Sequence, residues 1–246
     1  SLPELLRRYR DRLAADVIVV ADSGNWDLET PALTIALRGA VAFNLRVTTL
    51  SHAVHSGMFG GVVPDAPMAA IELLSTLWRK DGSVAVDGLT SHDEDAPDYD
   101  EAKLRAEAGA LDEVELIGRG PVASRMWYQP SITVTGMDIP NIRNASNTLV
   151  PSVRVRISAR IAPGQRARDA VAAIEAHLLK HVPHGAQIQI EDLDLGDPFL
   201  VDSSGWAAED SLETMHEAYG REPVELGVGG SIPFIADLVE RFPQAQ

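Results

Sequence analysis

Two histidines three residues apart lie in a glycine-rich segment, HAVHSGMFGG, at residues 52–61. Glycine is tolerated where the backbone turns sharply or comes close to another group, so the segment indicates a shaped loop. A histidine held outward from such a loop can donate a hydrogen bond to an oxyanion that develops on a substrate. The alternative is a loop histidine with no chemical task. The segment alone leaves both open for His55, and His52 has the weaker case.

A second glycine-rich segment, GVGGSIP at residues 227–233, stands directly before a predicted helix. We expect Ser231 to be the N-cap of that helix and Pro233 to lie in its first turn. Gly229 and Gly230 leave backbone N–H groups open, and such a helix N-terminus binds a phosphate or a carboxylate. An ordinary capped helix after a tight turn is the alternative.

Asp22 follows the apolar run VIVVA at residues 17–21. This composition is typical of a strand that is buried on both faces of a parallel sheet. Ligands gather at the carboxyl ends of such strands, so Asp22 is a candidate metal ligand. The alternative is that Asp22 caps the following turn together with Asn25.

Three arginines, Arg154, Arg156 and Arg160, share the polar face of one predicted strand. A guanidinium at the end of a strand can grip a carboxylate with two parallel hydrogen bonds, and Arg160 has the suitable position. The alternative for Arg160 is simple solvation, which is sufficient to explain the other two.

Two further polar groups have weaker functional interpretations. His177 and His181 are four residues apart on a predicted helix, a spacing that can bind zinc, but the glutamate of a metalloprotease helix is missing. Histidines near a helix C-terminus also interact favourably with the helix dipole. The acidic stretch SHDEDAPDYDEAK, at residues 91–103, is interpreted as a solvated loop that leads into a short helix, rather than as a metal cluster.

Composition excludes several classes of function. The 246 residues are 45% hydrophobic, which is enough for a substantial core, and carry a formal net charge of −15. This charge disfavours nucleic acids and anionic membranes as partners. Without cysteine, a metal would need His, Asp or Glu ligands. No segment approaches the ~18 apolar residues of a membrane span, and no signal peptide is recognisable, so we expect a cytoplasmic protein.

The pattern of elements predicts an α/β (α+β) fold class. Strict alternation of apolar and polar residues in PSVRVRISARIAP, residues 151–163, predicts a strand with one packed face. With the other periodic segments it gives a β-α-β-β-α-β order, which is ferredoxin-like, with a long insertion at 82–125. The segments concerned are a strand from 40, a helix at 66–80, a strand at 130–137, the strand at 151–163, a helix at 167–181 and a strand at 186–195. The flanks, 1–39 and 197–246, are predicted to be pieces of one α/β layer into which the middle domain, 40–196, is inserted.

Three motifs together resemble a known family. ADSGNW, HSGMFGG and NTLVPSVRVRISARIAPGQ followed by GGSIP occur in this order in the zinc-dependent exopeptidases that include carnosinase, cytosolic dipeptidase, aminoacylase and succinyl-diaminopimelate desuccinylase. The dipeptidase branch is the most similar. The resemblance covers essentially the whole chain, but only the second half of a family member.

The resemblance implies a catalytic domain with two divalent metal ions, usually zinc, and a ferredoxin-like lid domain that is inserted into it and forms a homodimer. Asp22 then matches a metal-ligating aspartate. His55 resembles the lid histidine that reaches across the dimer and stabilises the tetrahedral intermediate, and Thr148 resembles a lid residue that accompanies it, with Asn147 as a further candidate. Arg160 matches the arginine that grips the substrate carboxylate. Gly230 and Ser231 match the loop that lines the substrate pocket.

The sequence departs from the family pattern in what it omits. The first metal-binding histidine, the bridging aspartate, the paired glutamates and the late histidine of the family are not in this chain, and one carboxylate does not hold zinc. The expected function is therefore part of a dinuclear-metal dipeptidase or amide hydrolase that cleaves small peptides or N-acyl amino acids, with the fragment itself inactive and not expected to hold the metals. The alternative is a non-catalytic dimerisation or small-ligand-binding module.

Overall fold

The computed structural model describes residues 2–92 and 96–246. Within them, no helix has the length and apolar character needed to cross a bilayer. The helices are α1 Leu2–Arg8, α2 Arg10–Leu13, α3 Ser56–Phe59, α4 Ala66–Ser75, α5 Glu101–Ala108, α6 Val122–Trp127, α7 Ala167–Lys180, α8 Trp206–Tyr219 and α9 Pro233–Arg241. The strands are β1 Ala32–Leu37, β2 Gly39–Thr48, β3 Val54–His55, β4 Ser131–Asp138, β5 Thr148–Leu149, β6 Ser152–Ile161, β7 Gln187–Gly196, β8 Phe199–Leu200 and β9 Val224–Val228.

The largest sheet has the strand order β4-β6-β2-β7, and every neighbouring pair is antiparallel. Helices α4 and α7 contribute their buried residues to the same hydrophobic core as this sheet. In chain order the elements run β2-α4-β4-β6-α7-β7, so the predicted ferredoxin-like lid is confirmed.

Alternating side chains explain why this sheet has one packed face. Along β2, residues Val41, Phe43, Leu45 and Val47 are fully buried, and the residues between them are only partly buried. Strand β6 shows the same period of two, as predicted. Arg154 and Arg156 lie on its other face. Arg154 pairs with Asp138 at 2.6 Å, and both side chains are substantially exposed, which agrees with solvation.

A smaller sheet has the order β8-β1-β9, with β1 parallel to β9 and antiparallel to β8. Its core is aromatic. Trp127 of α6 contacts Trp26 edge-on at a centroid distance of 6.2 Å, and Trp26 contacts Tyr99 at 5.3 Å. Neither β1 nor α6 is among the elements predicted from the sequence. The domain boundaries at 39/40 and 196/197 stay a prediction.

The run VIVVA does not form the predicted strand. Residues 17–21 have no strand pairing of their own, and Val19 is 84% exposed. The backbone N–H of Ile18 donates to Gln246 O at 2.8 Å, which gives the run a single short connection to the end of the chain. An apolar run becomes a buried strand only when neighbouring strands and covering layers are present, and the described residues do not supply them here.

The observed helix ends agree only in part with the ends predicted from the sequence. The segment SSGWAAEDSLETMHEAYG, residues 203–220, predicts a helix that is capped by a serine and ended by Gly220. Gly220 does end α8, with φ of 66°, the left-handed conformation that favours glycine. The serine cap is wrong, because Gly205 is the N-cap and no side chain caps the helix.

Helix α4 ends at Ser75 rather than at 80, and α5 is the short helix predicted after the acidic stretch. Within that stretch, residues 93–95 lie outside the described residues. The amphipathic segment 1–14 predicts a first helix capped by Ser1, and Ser1 also lies outside the described residues.

Replacing Ile157 by alanine is expected to reduce the free energy of unfolding by about 2–5 kcal/mol, because the side chain is fully buried in the core of the large sheet. The matched control is Ile142→Ala, since Ile142 is 96% exposed and should change stability by less than about 0.5 kcal/mol. Urea unfolding followed by circular dichroism measures both. Equal losses for the two variants would contradict the assigned core.

Candidate functional site

A two-stranded ladder positions the candidate catalytic histidine. Strand β3 pairs with β5 so that His55 lies opposite Thr148 and Val54 lies opposite Leu149. The backbone N–H of Ser56 donates to Asn147 O at 2.9 Å. Cross-strand neighbours have Cβ atoms about 5 Å apart. The structure therefore brings His55, Asn147 and Thr148 together, and we call these three residues the histidine cluster.

The orientation of the imidazole follows from its local contacts. His55 is the N-cap of α3, and its Nδ1 accepts a hydrogen bond from the backbone N–H of Gly57 at 3.1 Å. A neutral imidazole that accepts at Nδ1 carries its proton at Nε2. The exposed side chain thus presents an N–H donor to its surroundings.

Packing requires glycine at one position of this segment, Gly60, and leaves little space at a second, Gly57. A Cβ on Gly57 would lie 3.0 Å from Cε1 of His55, and a Cβ on Gly60 would lie 2.4 Å from Ser56 O. The glycines therefore leave room for the imidazole and for the short helix behind it. Apolar side chains beside them are exposed, with Met58 at 76% and Val62 at 88%.

A second group of candidate residues meets where the large sheet adjoins the glycine-rich turn. Arg160, near the end of β6, donates from Nη1 to Ser231 Oγ at 3.1 Å. The predicted N-cap role of Ser231 is wrong, because Ile232 is the N-cap of α9 and no side chain caps that helix. The hydroxyl of Ser231 is used by the guanidinium of Arg160 instead. Gly230 precedes it and is exposed.

Arg38 is a member of this group that the sequence interpretation missed. Its Nε donates to Gly229 O, and its Nη1 donates to Gln129 O and Ser131 Oγ, all at 3.3 Å. Burial, and secondarily the positive charge of Arg160, lower the pKa of Arg38 to about 10. We call Arg38, Arg160 and Ser231 the arginine cluster. In the sequence, the feature that could have indicated a role for Arg38 is its position as the single arginine in the apolar stretch ALTIALRGAVAF.

The arginine cluster is rich in positive charge that has no carboxylate partner. Among the residues that the structure describes, no ion pair includes Arg38 or Arg160. Two guanidinium groups and a hydroxyl therefore converge in a protein whose formal net charge is −15. This arrangement suits a bound carboxylate, which accepts charge-assisted hydrogen bonds from such donors.

Because glycine has no side chain, the backbone of the glycine-rich turn packs directly against neighbouring residues. A Cβ on Gly227 would lie 2.4 Å from Cβ of Trp127, and a Cβ on Gly229 would lie 2.9 Å from Nη2 of Arg38. The position of Ser231 thus depends on backbone packed directly against helix α6 and against Arg38.

The predicted metal ligand does not form a metal centre with other residues of this chain. Asp22 is exposed in an irregular segment, and the described residues contain no group of three or more His, Asp or Glu side chains that could hold a metal ion. Zinc sites use three or four protein ligands, so the residues described here do not by themselves fit the metals that the family resemblance implies.

His177 in α7 and His181 at its C-cap contact other protein groups and are not arranged around a metal site. His177 is buried, and its Nε2 lies 3.1 Å from both the hydroxyl and the carbonyl oxygen of Thr76. Its ring lies 4.1 Å from that of His181 between centroids. Burial, followed by the charge of His181, lowers the pKa of His177. The zinc interpretation of this pair gains no support.

The histidine cluster and the arginine cluster offer different chemical groups. Among the described residues, no hydrogen bond or ion pair joins a member of one to a member of the other. One cluster offers an exposed N–H donor on a short ladder, and the other offers cations at the junction of two sheets.

A family comparison identifies this architecture. Residues 35–186, more than half of the chain, match the model of the M20 peptidase dimerisation domain. The chain belongs to this family.

Relatives and solved structures agree with that assignment. The chain is 31% identical over its full length to a cysteinylglycine-S-conjugate dipeptidase of Corynebacterium striatum, of which it covers 55%. It is 25% identical over 95% of its length to the human β-Ala-His dipeptidase, of which it covers 49%. The chain thus spans about half the length of these curated relatives. The structure of the dipeptidase Dug1p from Saccharomyces cerevisiae shares the fold, with a TM-score of 0.79 at 19% identity over 98% of this chain and 54% of that one.

Replacing Gly227 by alanine is expected to lower the free energy of unfolding by about 1–3 kcal/mol, because the added methyl group collides with Trp127. Gly230→Ala is the matched control. The nearest atom to its added Cβ is Cγ1 of Val228 at 3.8 Å, so the change should be below about 0.5 kcal/mol. Thermal and urea unfolding of the two variants measure the difference, and an unaltered stability in Gly227→Ala would refute the close packing.

Proposed function

We propose that this chain is the lid and part of the catalytic domain of a metal-dependent dipeptidase or related amide hydrolase that acts on small peptides or N-acyl amino acids. The observation that carries the proposal is a pair of polar clusters, one with an exposed imidazole donor and one whose two guanidinium groups have no carboxylate partner among the described residues. Their chemistry matches the two polar ends of such a substrate. The named activities of the relatives support it.

The arginine cluster binds the carboxylate end of the substrate in this proposal. Arg160 is already oriented by Ser231, and Arg38 adds a second positive charge. Bidentate guanidinium–carboxylate pairing gives both binding energy and a fixed orientation. Gly230 lies beside the serine and lets the substrate approach the backbone. The cluster thereby sets the position of the scissile amide relative to the rest of the site.

The histidine cluster stabilises the oxyanion. Because Nδ1 of His55 is occupied by the N–H of Gly57, the proton at Nε2 points away from the loop and is available to the negative oxygen of the tetrahedral intermediate. Thr148 and Asn147 hold the strand that carries it and line the same surface. Since the imidazole is exposed, a second surface must cover it before the hydrogen bond gains the strength of a low-dielectric site.

Divalent metal ions, zinc among them, would supply the activated water of this reaction. Asp22 would contribute one ligand, and the remaining ligands would come from residues beyond those of this chain. The described residues do not form the site of these metals by themselves.

A homodimer completes the arrangement, with the imidazole of one subunit reaching the arginine cluster of the other. The exposed apolar residues beside His55, Met58 and Val62, provide surface that a second copy can cover. The proposed domains are 1–39 and 197–246 for the catalytic part and 40–196 for the lid. A cytoplasmic location, with neither nucleic acid nor membrane as partner, belongs to the same proposal.

Replacing His55 by alanine in the longer metal-loaded protein is expected to lower kcat about 10²–10³-fold with little change in KM, because a donor to the oxyanion is lost. His52→Ala is the matched control, since this exposed histidine contacts only its neighbour Ser51 among the hydrogen bonds described. Steady-state hydrolysis of a dipeptide measures both variants. A His55→Ala enzyme with the full rate would remove the assigned role.

Mixing two inactive variants tests whether the site is shared. His55→Ala and Arg160→Gln homodimers are each expected to be nearly inactive. In a mixed dimer, one site has an intact arginine from one subunit and an intact histidine from the other. Random exchange of subunits should restore about one quarter of the wild-type rate. No recovery, despite subunit exchange confirmed by native mass spectrometry, would show that His55 and Arg160 act in the same chain.

A further inference from the structure

A cavity lies between helix α6, the first residues of β4 and the segment that follows α4. Its volume is about 430 Å³, within the range of small-molecule sites. The bridge between Trp78 and Val84 shapes one wall, and the indole N–H of Trp78 donates to Ile132 O at 3.1 Å to tie that wall to β4. His55, Arg160 and Ser231 do not line this cavity.

Positive charge dominates the polar part of the lining. Arg38, Arg79 and Arg125 line the cavity, and its described lining contains no Asp or Glu. Asp81 precedes the lining residue Gly82, but it is already engaged by Arg119 and by the hydroxyl of Ser83. Three arginines facing a common space without a carboxylate are unusual in a protein with a net charge of −15.

The protein uses the donors of Arg38 and Arg125 incompletely, whereas Nη1 of Arg79 donates to the carbonyl oxygen of Val84. Nη1 of Arg125 donates to Ile117 O at 2.8 Å, whereas its Nε is buried and has no hydrogen-bond partner among the described residues. A buried donor of a charged group left unpaired carries a substantial free-energy cost. Arg38 meets only carbonyl and hydroxyl oxygens, which do not neutralise its charge. An anion in the cavity would offset both costs.

We propose that this cavity binds a small oxyanion, a carboxylate or a phosphate group, held between Arg38, Arg79 and Arg125. The remaining lining includes the apolar side chains of Val86, Leu89 and Ile132. The ligand is therefore a compact organic acid or phosphate whose charged end meets the arginines and whose short apolar part meets these three residues. Bound there, it contacts the guanidinium that also holds Gly229, so occupancy stabilises the junction of the two sheets.

Titration of the 246-residue chain with inorganic phosphate and with succinate, each at constant ionic strength set with chloride, tests the proposal. Isothermal titration calorimetry should show a saturable site for at least one of the two probes. At a ligand concentration ten times Kd, the melting temperature should rise by about 3–6 °C. Preference for phosphate or for succinate identifies which of the two oxyanion groups the cavity takes. Absence of saturable binding of either probe below about 50 mM would overturn the proposal.

Variants locate the bound ion. Arg125→Gln should weaken binding at least tenfold, because a charge-assisted hydrogen bond is lost. Arg79→Gln should do the same, and since Arg79 is exposed, this variant decides the matter if Arg125→Gln does not fold. Arg168→Gln, on the exposed surface of α7, is the matched control and should bind with the wild-type Kd.

Two outcomes would place the ion elsewhere and contradict the proposal. The first is wild-type affinity in folded Arg125→Gln and in Arg79→Gln. The second is loss of binding in Arg160→Gln with full binding in Arg79→Gln, which would assign the anion to the arginine cluster of the proposed substrate site.

Discussion

The arrangement of this protein depends on how one guanidinium is held at the junction of its two main sheets. Strand β1 belongs to the small sheet and β2 to the large one, and Arg38 is the only residue between them. Its side chain donates to oxygens just before and at the start of β4 and to one just after β9, so it links segments that are far apart in the chain. Taking a guanidinium out of water is costly, and the hydrogen bonds to these oxygens offset part of that cost. The two sheets are thereby held in one relative position.

Close packing of glycine completes the same junction. A Cβ on Gly39 would lie 2.6 Å from Cγ1 of Ile161 and 2.8 Å from Gly196 O, so the chain can pass from one sheet to the other only without a side chain at this position. Gly227 meets Trp127 in the same manner. These contacts bring Ser231 within reach of Arg160. Arg160 lies in the large sheet, whereas Ser231 follows a strand of the small sheet, and the two residues are 71 positions apart in the chain.

The histidine cluster, unlike the sheet junction, is positioned by a short pairing of two strands. Its ladder has two residues in each strand, and the imidazole it carries is exposed. Such a short ladder has few buried contacts and low local stability. In the proposed arrangement, the exposed imidazole is the part of the site that adjusts when a second surface covers it.

The alternation of apolar and polar residues along the chain was sufficient to predict the fold of the lid domain. The period of two in β2 and β6 is a property of neighbouring residues in the chain, and burying the apolar set of each strand against α4 and α7 leaves few other ways to fold. The motif around His55 likewise showed where a polar loop would lie. Tertiary structure decided the rest. The run at 17–21 has the composition of a buried strand but lacks neighbours that would pair with it, and Ser231 has the type and position of an N-cap but is oriented by Arg160. The role of Arg38 depends on oxygens more than 90 positions away. Strand pairing and the partners of a polar side chain are set by residues distant in sequence, so no local pattern can specify them.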